Sequence, residues 1–240
     1  MACGTSRSIT ELSLPRRMCA GPSRSRNRIP FVSMSLRLLV FDGTPKKAER
    51  LLRSAWSTGA LLYRALGRID AHYGATSWSD AFAWLATFRS DERISEVQYW
   101  GHGKWGTVFI AGDGLTAHAL ENGHPHAQAL AALRARMLPD ARSLIWFRTC
   151  ETFGARAGQN FAMRLSTFLG ARVAGHTHII GALQSGLHGV RPGEVPRWSG
   201  SEGLSSGTPE APILAKPSSP DAPHTIHFMN NVIPEAWFTT

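Results

Sequence analysis

Apolar residues follow two different patterns along the chain, and the two patterns alternate. Short, mostly apolar runs predict strands, and these runs lie at residues 36–41, 96–100, 107–110, 143–147 and 173–180. Longer segments with apolar residues three and four positions apart predict helices, and these segments lie at residues 48–69, 78–88, 125–138 and 158–170. Because the strand runs lack a polar side and alternate with helices, we expect an α/β fold, a three-layer sandwich with a mostly parallel central sheet and helices on both faces.

Three segments outside this alternation define the expected domain boundaries. Residues 1–33 are rich in Arg and Ser and poor in acidic residues, which indicates a disordered head, a transit peptide or an over-extended gene start with the true start at Met34. The α/β domain is expected at residues 34–190. Residues 191–223 contain seven of the 14 prolines and predict a long, poorly ordered loop. Residues 224–240 regain apolar side chains and predict a C-terminal strand or tail that packs on the domain.

Charge is distributed unevenly along the chain. The formal net charge is +9, of which +5 falls in residues 1–33 and +4 in the remainder. The charged fraction of 18% is below the usual value of about 25%, and no basic run interleaved with aromatic residues follows Met34. Nucleic acid is therefore not an expected partner of the domain. Association of nucleic acid with the Arg-rich head stays open as a weaker alternative.

The apolar runs and the cysteines narrow the expected environment. No run approaches the ~18 residues that a membrane-spanning helix requires, so we expect a soluble protein without a membrane partner. Cys3, Cys19 and Cys150 form no CxxC pair and no disulfide framework, which is typical of a reducing compartment and indicates a cytoplasmic location. No GxxxxGK[ST] phosphate-binding loop and no HExxH helix is present, and no cofactor is expected. The sequence gives no indication of the oligomeric state.

Two residues that follow predicted strands carry the candidate chemistry. His102 follows the strand at 96–100, and Cys150 follows the strand at 143–147. The carboxyl ends of parallel strands lie at one edge of a sheet, where ligands bind, so we expect both side chains there. An imidazole beside a thiol lowers the thiol pKa and can protonate a leaving group, as a cysteine nucleophile requires. The alternatives are a buried, inert thiol and a loop histidine without a role.

Three stretches around these residues resemble the caspase-like (clan CD) cysteine peptidase superfamily, at residues 97–110, 143–151 and 158–181. The closest resemblance is to an uncharacterised bacterial caspase-like domain often attached to large surface adhesins, and the 48-residue separation of His102 and Cys150 is similar to the spacing of about 50 in caspases. The resemblance implies a caspase-like sandwich with His102 as general acid/base and Cys150 as nucleophile. It also implies that the backbone N–H groups of Gly103 and Cys150 bind the oxyanion, and glycine at 103 leaves that approach unobstructed.

The chain departs from this pattern around the cysteine. The domain usually has Tyr-Gly-Cys where this chain has Arg148, Thr149 and Cys150, and it has Asp or Asn where this chain has Glu151. Both differences affect the expected shape of the primary specificity pocket. Caspases also carry a cleavable linker before the next strand, whereas Gly170 here leads directly into that strand. Activation by cleavage at that place is therefore not expected.

Several other residues are candidates for the substrate pocket. Glu151, with Asp113 as a second acid, could select a basic side chain, although a solvated loop carboxylate is the simpler interpretation. His176 and His178 lie two apart on a predicted strand and would face one side, as a pocket lining or a metal pair requires. No third ligand is evident, and no metal site is predicted.

Tryptophans could also line a groove for substrate. Trp105 is included in the predicted pocket, and Trp198 is a further candidate. Trp100 and Trp146 lie within predicted strands, and for these two we expect core packing instead.

The leading hypothesis is a hydrolase, a cysteine endopeptidase that uses a His102–Cys150 dyad to cleave protein or peptide substrates. The alternative is a catalytically inactive caspase-like module that binds a partner protein through a Trp-rich cleft and the loop at 191–223. Neither the substrate nor an activating signal can be inferred from the residues. Fold alone does not establish which hypothesis applies.

Overall fold

A six-stranded sheet forms the centre of the protein in the computed structural model, which describes residues 35–44, 50–139 and 142–238. The strands, in chain order, are β1 (Leu36–Asp42), β2 (Ala71–Ala75), β3 (Ile94–Trp100), β4 (His102–Lys104), β5 (Thr107–Ile110), β6 (Asp113–Leu115), β7 (Leu144–Arg148), β8 (Arg172–His176), β9 (Leu183–Gln184), β10 (Leu187–Val190), β11 (Leu204–Gly207), β12 (Pro212–Ala215) and β13 (Ile226–His227). The α-helices are α1 (Arg50–Ala65), α2 (Trp78–Thr87), α3 (Ala127–Arg136) and α4 (Ala155–Leu169). None of these helices is long and apolar enough to span a bilayer.

The central sheet is mostly parallel, as predicted. Its strand order is β10-β8-β7-β3-β1-β2, in which β2, β1, β3, β7 and β8 pair in parallel and β10 pairs antiparallel with β8 at the edge. β3 and β7 are direct neighbours, and Trp100 of β3 pairs with Arg148 of β7. Their carboxyl ends therefore lie side by side, which brings the segments that follow the two strands to the same edge.

Helices cover both faces of the sheet, which confirms the predicted arrangement. On one face α2, α3 and α4 contribute Phe82, Leu130 and Phe161 to a large apolar core. On the opposite face α1 packs Ala60 and Tyr63 against the sheet. Ser77 caps the N-terminus of α2 by accepting a hydrogen bond from the Asp80 N–H.

Three predicted element boundaries differ from the structure by three residues or more. The first helix, α1, ends at Ala65 and not at residue 69. α4 begins at Ala155, not at Gly158. Gly158 lies inside the helix. A Cβ at this position would come within 2.7 Å of Phe153 Cα, so a glycine is needed here for close packing. β8 ends at His176, whereas the apolar pattern predicts a strand through residue 180. Beyond His176 the backbone bonds to other partners, and the Thr177 N–H donates to Gly186 O at 3.1 Å.

The prediction of a poorly ordered loop at 191–223 is wrong. The segment contains the β11–β12 hairpin, and it is fastened to the domain by Trp198, which is buried, stacks on the Phe153 ring and donates its indole N–H to Phe153 O at 3.1 Å. The Pro, Ser and Gly content therefore reflects tight turns and close backbone approaches, not a lack of structure.

The C-terminal residues pack on the same face as α1. β13 pairs antiparallel with β9, and Ile226, Ile233 and Phe238 join Trp146 in a smaller apolar cluster. The predictions for the head at residues 1–33 lie outside the described residues.

Candidate functional site

His102 and Cys150 line the same cavity at the carboxyl edge of the sheet. The cavity has a volume of about 520 Å³. Its walls come from α1, the ends of β3 and β7, and the C-terminal segments, and the lining residues are Leu52, Ala55, Trp56, Thr58, Gly59, Leu62, Trp100, Gly101, His102, Arg148, Cys150, Ile180, Gly181, Ala182, Gln184 and Phe228. Most of these side chains are apolar, so the chemically reactive groups lie in a largely apolar setting.

The turn that carries Cys150 is fixed on both sides by backbone hydrogen bonds. On one side the N–H of Trp105 donates to Glu151 O at 3.0 Å. On the other side the Glu151 N–H donates to His178 O at 2.9 Å. Glu151 itself has a φ of 44°, a left-handed conformation that non-glycine residues seldom adopt. The thiol is therefore held by a strained turn between two neighbouring segments.

Gly103 is required for close packing beside this turn. A Cβ on Gly103 would lie 2.9 Å from Cys150 O and 2.8 Å from Thr149 Oγ1, and closer still to Thr152 Oγ1. From the sequence, glycine at position 103 is expected to leave room for an oxyanion. The structure gives a second reason why this position is a glycine. The glycine allows the segment after β3 to lie directly against the cysteine turn.

The environment of Cys150 favours the neutral thiol. Burial raises the pKa of the Cys150 thiol, and the neighbouring Glu151 carboxylate raises it further. Two backbone N–H groups oppose this shift: the N–H of Ile180, which donates to Cys150 Sγ at 3.4 Å, and the N–H of Cys150 itself. The expectation of a lowered thiol pKa is thus wrong for the unliganded cleft.

The imidazole of His102 is positioned from α1. Its ring makes an edge contact with the Trp56 ring, with the centroids 5.3 Å apart. Gly59, one turn further along α1, lies against Trp100, since a Cβ there would be 2.7 Å from the indole. Helix α1 therefore forms a wall of the cavity and contacts His102 directly.

Arg148 is the charged residue of the cavity that sequence analysis did not assign to a role. Its guanidinium donates two hydrogen bonds to Gln184 Oε1, at 3.0 and 2.8 Å, one to Phe228 O at 2.6 Å and one to the Tyr63 hydroxyl. Its carbon lies 4.5 Å from the centroid of the Trp146 ring. None of the hydrogen-bond acceptors is a carboxylate, so a buried positive charge lies in the cavity wall without a countercharge bonded to it.

Burial lowers the pKa of the Arg148 guanidinium, yet arginine remains protonated in proteins at neutral pH. The signal for this residue was present in the sequence as a departure from the Tyr-Gly-Cys pattern. Only the fold reveals that this buried side chain forms part of the wall of the cavity that holds Cys150.

The substrate-pocket residues predicted from the sequence lie outside the cavity lining. Burial raises the pKa of the Glu151 carboxyl, and the nearby Lys104 offsets only part of this shift. The Oε2 atom of Glu151 is buried without a hydrogen-bond partner. Trp105 lies next to Gly154, and Lys104 Nζ is 4.5 Å from its ring centroid. Asp113 is exposed at the start of β6. The acid that was expected to select a basic side chain therefore does not line this cavity.

His176 and His178 belong to the interior of the protein. Burial and the charge of Arg148 lower the pKa of His176 to about 3, and its Nδ1 lies 3.1 Å from Ser185 O. His178 Nδ1 contacts the Thr177 hydroxyl at 3.0 Å. Within the part of the chain that the structure describes, no three His, Cys, Asp or Glu residues are grouped so that they could hold a metal ion.

The tryptophans divide between core and cavity. Trp146 is fully buried and Trp198 is stacked within the domain, so neither lines the cleft. Trp100, for which core packing is expected, is buried and also forms part of the cavity wall.

Comparison with known proteins identifies one similarity. Residues 72–189, just under half of the chain, match a family model described as a domain of unknown function (DUF4347). The matched segment runs from β2 to β10 and includes His102, Arg148 and Cys150. No curated protein and no solved structure is significantly similar to the chain.

Proposed function

We propose that the protein is a cysteine endopeptidase in which Cys150 is the nucleophile and His102 is the general acid/base. The observation that carries the proposal is the shared cavity: both side chains line it, and both follow neighbouring parallel strands at the carboxyl edge of the sheet. We include in this proposal the caspase-like arrangement that the sequence resembles. In that arrangement a histidine precedes the nucleophilic cysteine along the chain, as His102 precedes Cys150 here.

The reaction proceeds in two steps. His102 takes the thiol proton as Cys150 Sγ bonds to the peptide carbonyl carbon, and the N–H groups of Gly103 and Cys150 stabilise the oxyanion. The C–N bond then breaks, and His102 gives the proton to the departing amine. Water then attacks the resulting thioester while His102 accepts a proton from that water. The C–S bond breaks and releases a carboxylic acid, and His102 passes the proton to the sulfur, which restores the thiol.

Substrate binding has to convert the resting thiol into a nucleophile. Because burial raises the pKa of Cys150, the resting site holds a thiol, and proton transfer to His102 accompanies attack. Alkylation of free enzyme should therefore rise with pH only above the ordinary range of a cysteine, which is about 8.5. An apparent pKa well below that value in unliganded enzyme would contradict this account of the resting site.

Arg148 supports a preference for substrates that carry a negative charge. Its guanidinium lines the cavity that holds Cys150, and none of its hydrogen-bond acceptors is a carboxylate, so an acidic side chain placed there would add a charge-assisted hydrogen bond. A lysine or arginine side chain would meet like charge in a poorly solvated setting. The pocket therefore favours acidic over basic residues at the cleavage site.

The test combines hydrolysis and folding in the full chain. We expect a mixture-based peptide screen to give cleavage next to acidic residues, and we expect Cys150→Ser and His102→Ala to abolish it with circular dichroism unchanged. His118→Ala, at an exposed histidine outside the cavity, is the matched control and should cleave normally. Retention of cleavage in either site variant would refute the dyad.

A second candidate function is a catalytically silent module that binds a protein partner through the same cleft. The raised thiol pKa of Cys150 is the observation that favours it, since an inert thiol requires no activation. This alternative predicts no hydrolysis in the screen and an unchanged set of captured proteins after Cys150→Ala.

A further inference from the structure

Helix α1 exposes a row of leucines at the mouth of the cavity. Leu51 is 88% exposed, Leu52 46%, Leu62 40% and Leu66 50%. With Ala55, these residues occupy one side of the helix at spacings of three, four and seven. We call this set, Leu51, Leu52, Ala55, Leu62 and Leu66, the leucine stripe. Large apolar side chains that stay this exposed indicate a binding surface.

The leucine stripe is continuous with the cavity that holds Cys150. Leu52, Ala55 and Leu62 line the cavity, while Leu51 and Leu66 extend the same side of the helix beyond it. Whatever occupies the cavity and continues along α1 therefore meets an apolar surface. The helix also contacts His102 through Trp56, so the stripe and the candidate dyad share one structural element.

Charge in the cavity wall restricts the chemistry of the occupant. Arg148 supplies a positive charge there, and α1 contains no acidic residue. Arg50, Arg53 and Arg64 lie on the side of α1 turned away from the leucine stripe, at about 100° per residue. A ligand with large apolar side chains and nearby carboxylates would complement both properties. An extended polypeptide is the ligand that can fill the cavity with one side chain and reach the stripe with its neighbours.

We propose that the leucine stripe is a docking surface for the substrate polypeptide, selecting segments with large apolar side chains flanking an acidic residue. This inference rests on the proposed peptidase function, because it assigns the cavity beside Cys150 to the residue at the cleavage site. It adds a preference over several residues that the dyad alone does not specify.

Binding can be measured without turnover in the full-length Cys150→Ser protein. The probes are two short fluorescent peptides with the same central Asp, one flanked by leucines and one by serines. Fluorescence anisotropy should give a tighter Kd for the leucine-flanked peptide. Leu51→Ser combined with Leu66→Ser should raise the Kd of the leucine-flanked peptide about tenfold, as expected for losing contacts from two partly exposed leucines. The double variant should also lose most of the preference for this peptide over the serine-flanked one.

Leu61→Ser is the matched control. Leu61 is 59% exposed, does not line the cavity, and lies about 80° around the helix from Leu51, on the side away from Leu52, Ala55 and Leu66. This variant should bind both peptides as the parent does. Equal weakening by Leu61→Ser, or an unchanged preference in the double variant with circular dichroism intact, would overturn the proposal.

Other occupants of the stripe give distinct results. Co-sedimentation with phosphatidylserine vesicles, or concentration-dependent dimerisation in light scattering, overturns the proposal if the double variant abolishes it while peptide preference stays the same. If the leucine preference depends on the stripe but wild-type protein never cleaves the peptide, docking is supported and the peptidase proposal fails. The two proposals can therefore be separated.

Discussion

The two faces of the central sheet are covered in different ways. On the face of α2, α3 and α4, three helices bury a continuous apolar core. On the face of α1, one helix and irregular C-terminal segments leave a cavity of about 520 Å³ and enclose the charged side chain of Arg148. The first arrangement maximises apolar burial, whereas the second retains polar groups in costly positions. This contrast indicates that the first face supplies stability and the second supplies the site.

The largest expected effect tests the stability of the helical face. Phe161 of α4 is 1% exposed and packs on the Phe147 ring at 5.4 Å between centroids. Phe161→Ala should lower the free energy of unfolding by about 3–5 kcal/mol because it leaves a cavity in a well-packed core. Urea titration measures the loss, and Leu51→Ala, at an exposed position, should change it by less than about 0.5 kcal/mol. Similar losses in both variants would remove the contrast between the faces.

The next effect concerns selectivity on the cavity face. Arg148→Met should reduce the preference for an Asp peptide over its Asn counterpart by about 10- to 100-fold, because a charge-assisted hydrogen bond contributes about 1.5–3 kcal/mol. Competitive cleavage of the two peptides measures the ratio. Arg156→Met is the control, since Arg156 is exposed and pairs with Glu210. An unchanged ratio of Asp-peptide to Asn-peptide cleavage in Arg148→Met would show that the Arg148 charge does not determine substrate preference.

A pH-dependent effect is expected where the segment 191–223 is fastened to the sheet. Burial raises the pKa of the Glu202 carboxyl, but hydrogen bonds from His188 at 2.5 Å and Thr177 at 2.8 Å outweigh it, so the net pKa is lowered. A lowered carboxyl pKa adds stability above the ordinary value of about 4.5, and this stability is lost as pH falls through the folded-state value.

Glu202→Gln should therefore lower the free energy of unfolding by about 1–2 kcal/mol at pH 7 and by progressively less below pH 4.5. Urea titrations at several pH values measure the difference. Glu210→Gln, at an exposed carboxylate, is the control and should show little effect at any pH. A constant difference between wild type and Glu202→Gln down to pH 3 would show that the ionised Glu202 carboxylate does not contribute to stability.

The smallest effect returns to the helical face. Ser77→Ala removes the side-chain acceptor at the start of α2 and should cost about 1 kcal/mol. Ser54→Ala, at an exposed position of α1, should leave stability unchanged or raise it slightly, because alanine is the better helix former. Thermal unfolding of the two variants side by side measures the difference, and a loss in Ser54→Ala as large as in Ser77→Ala would show that α1 contributes as much stability as α2.

Mostly apolar runs predicted the interior of the sheet well. β1, β3 and β7 are largely buried, so most of their residues are apolar, with polar members such as Glu96, Gln98 and Arg148 among them. β2 was missed because Ala71–Ala75 is short, contains Gly74 and lies at the sheet edge. The β11–β12 hairpin was missed because its stability comes from tertiary contacts such as Trp198 on Phe153, which local composition does not encode.

The candidate site was predictable where it depends on strand ends and not where it depends on packing. His102 and Cys150 follow apolar strands, so their common location could be inferred from the sequence. The inward orientation of Arg148 depends on distant partners, Gln184 and Phe228 among them. The role of α1 in the cavity wall was likewise hidden, because leucines there carry no chemical signal of their own.

The involvement of Phe228 has a consequence for the timing of synthesis. The central sheet is complete once Val190 has emerged, because β10 is its last strand. The cavity is not, because Phe228 lines it and the Phe228 carbonyl accepts hydrogen bonds from both Arg148 and Tyr63. Because the chain is made from its N-terminus, every strand of the central sheet is synthesised almost forty residues before Phe228, which the cleft requires. The cleft therefore depends on a segment that is made after the framework that supports it.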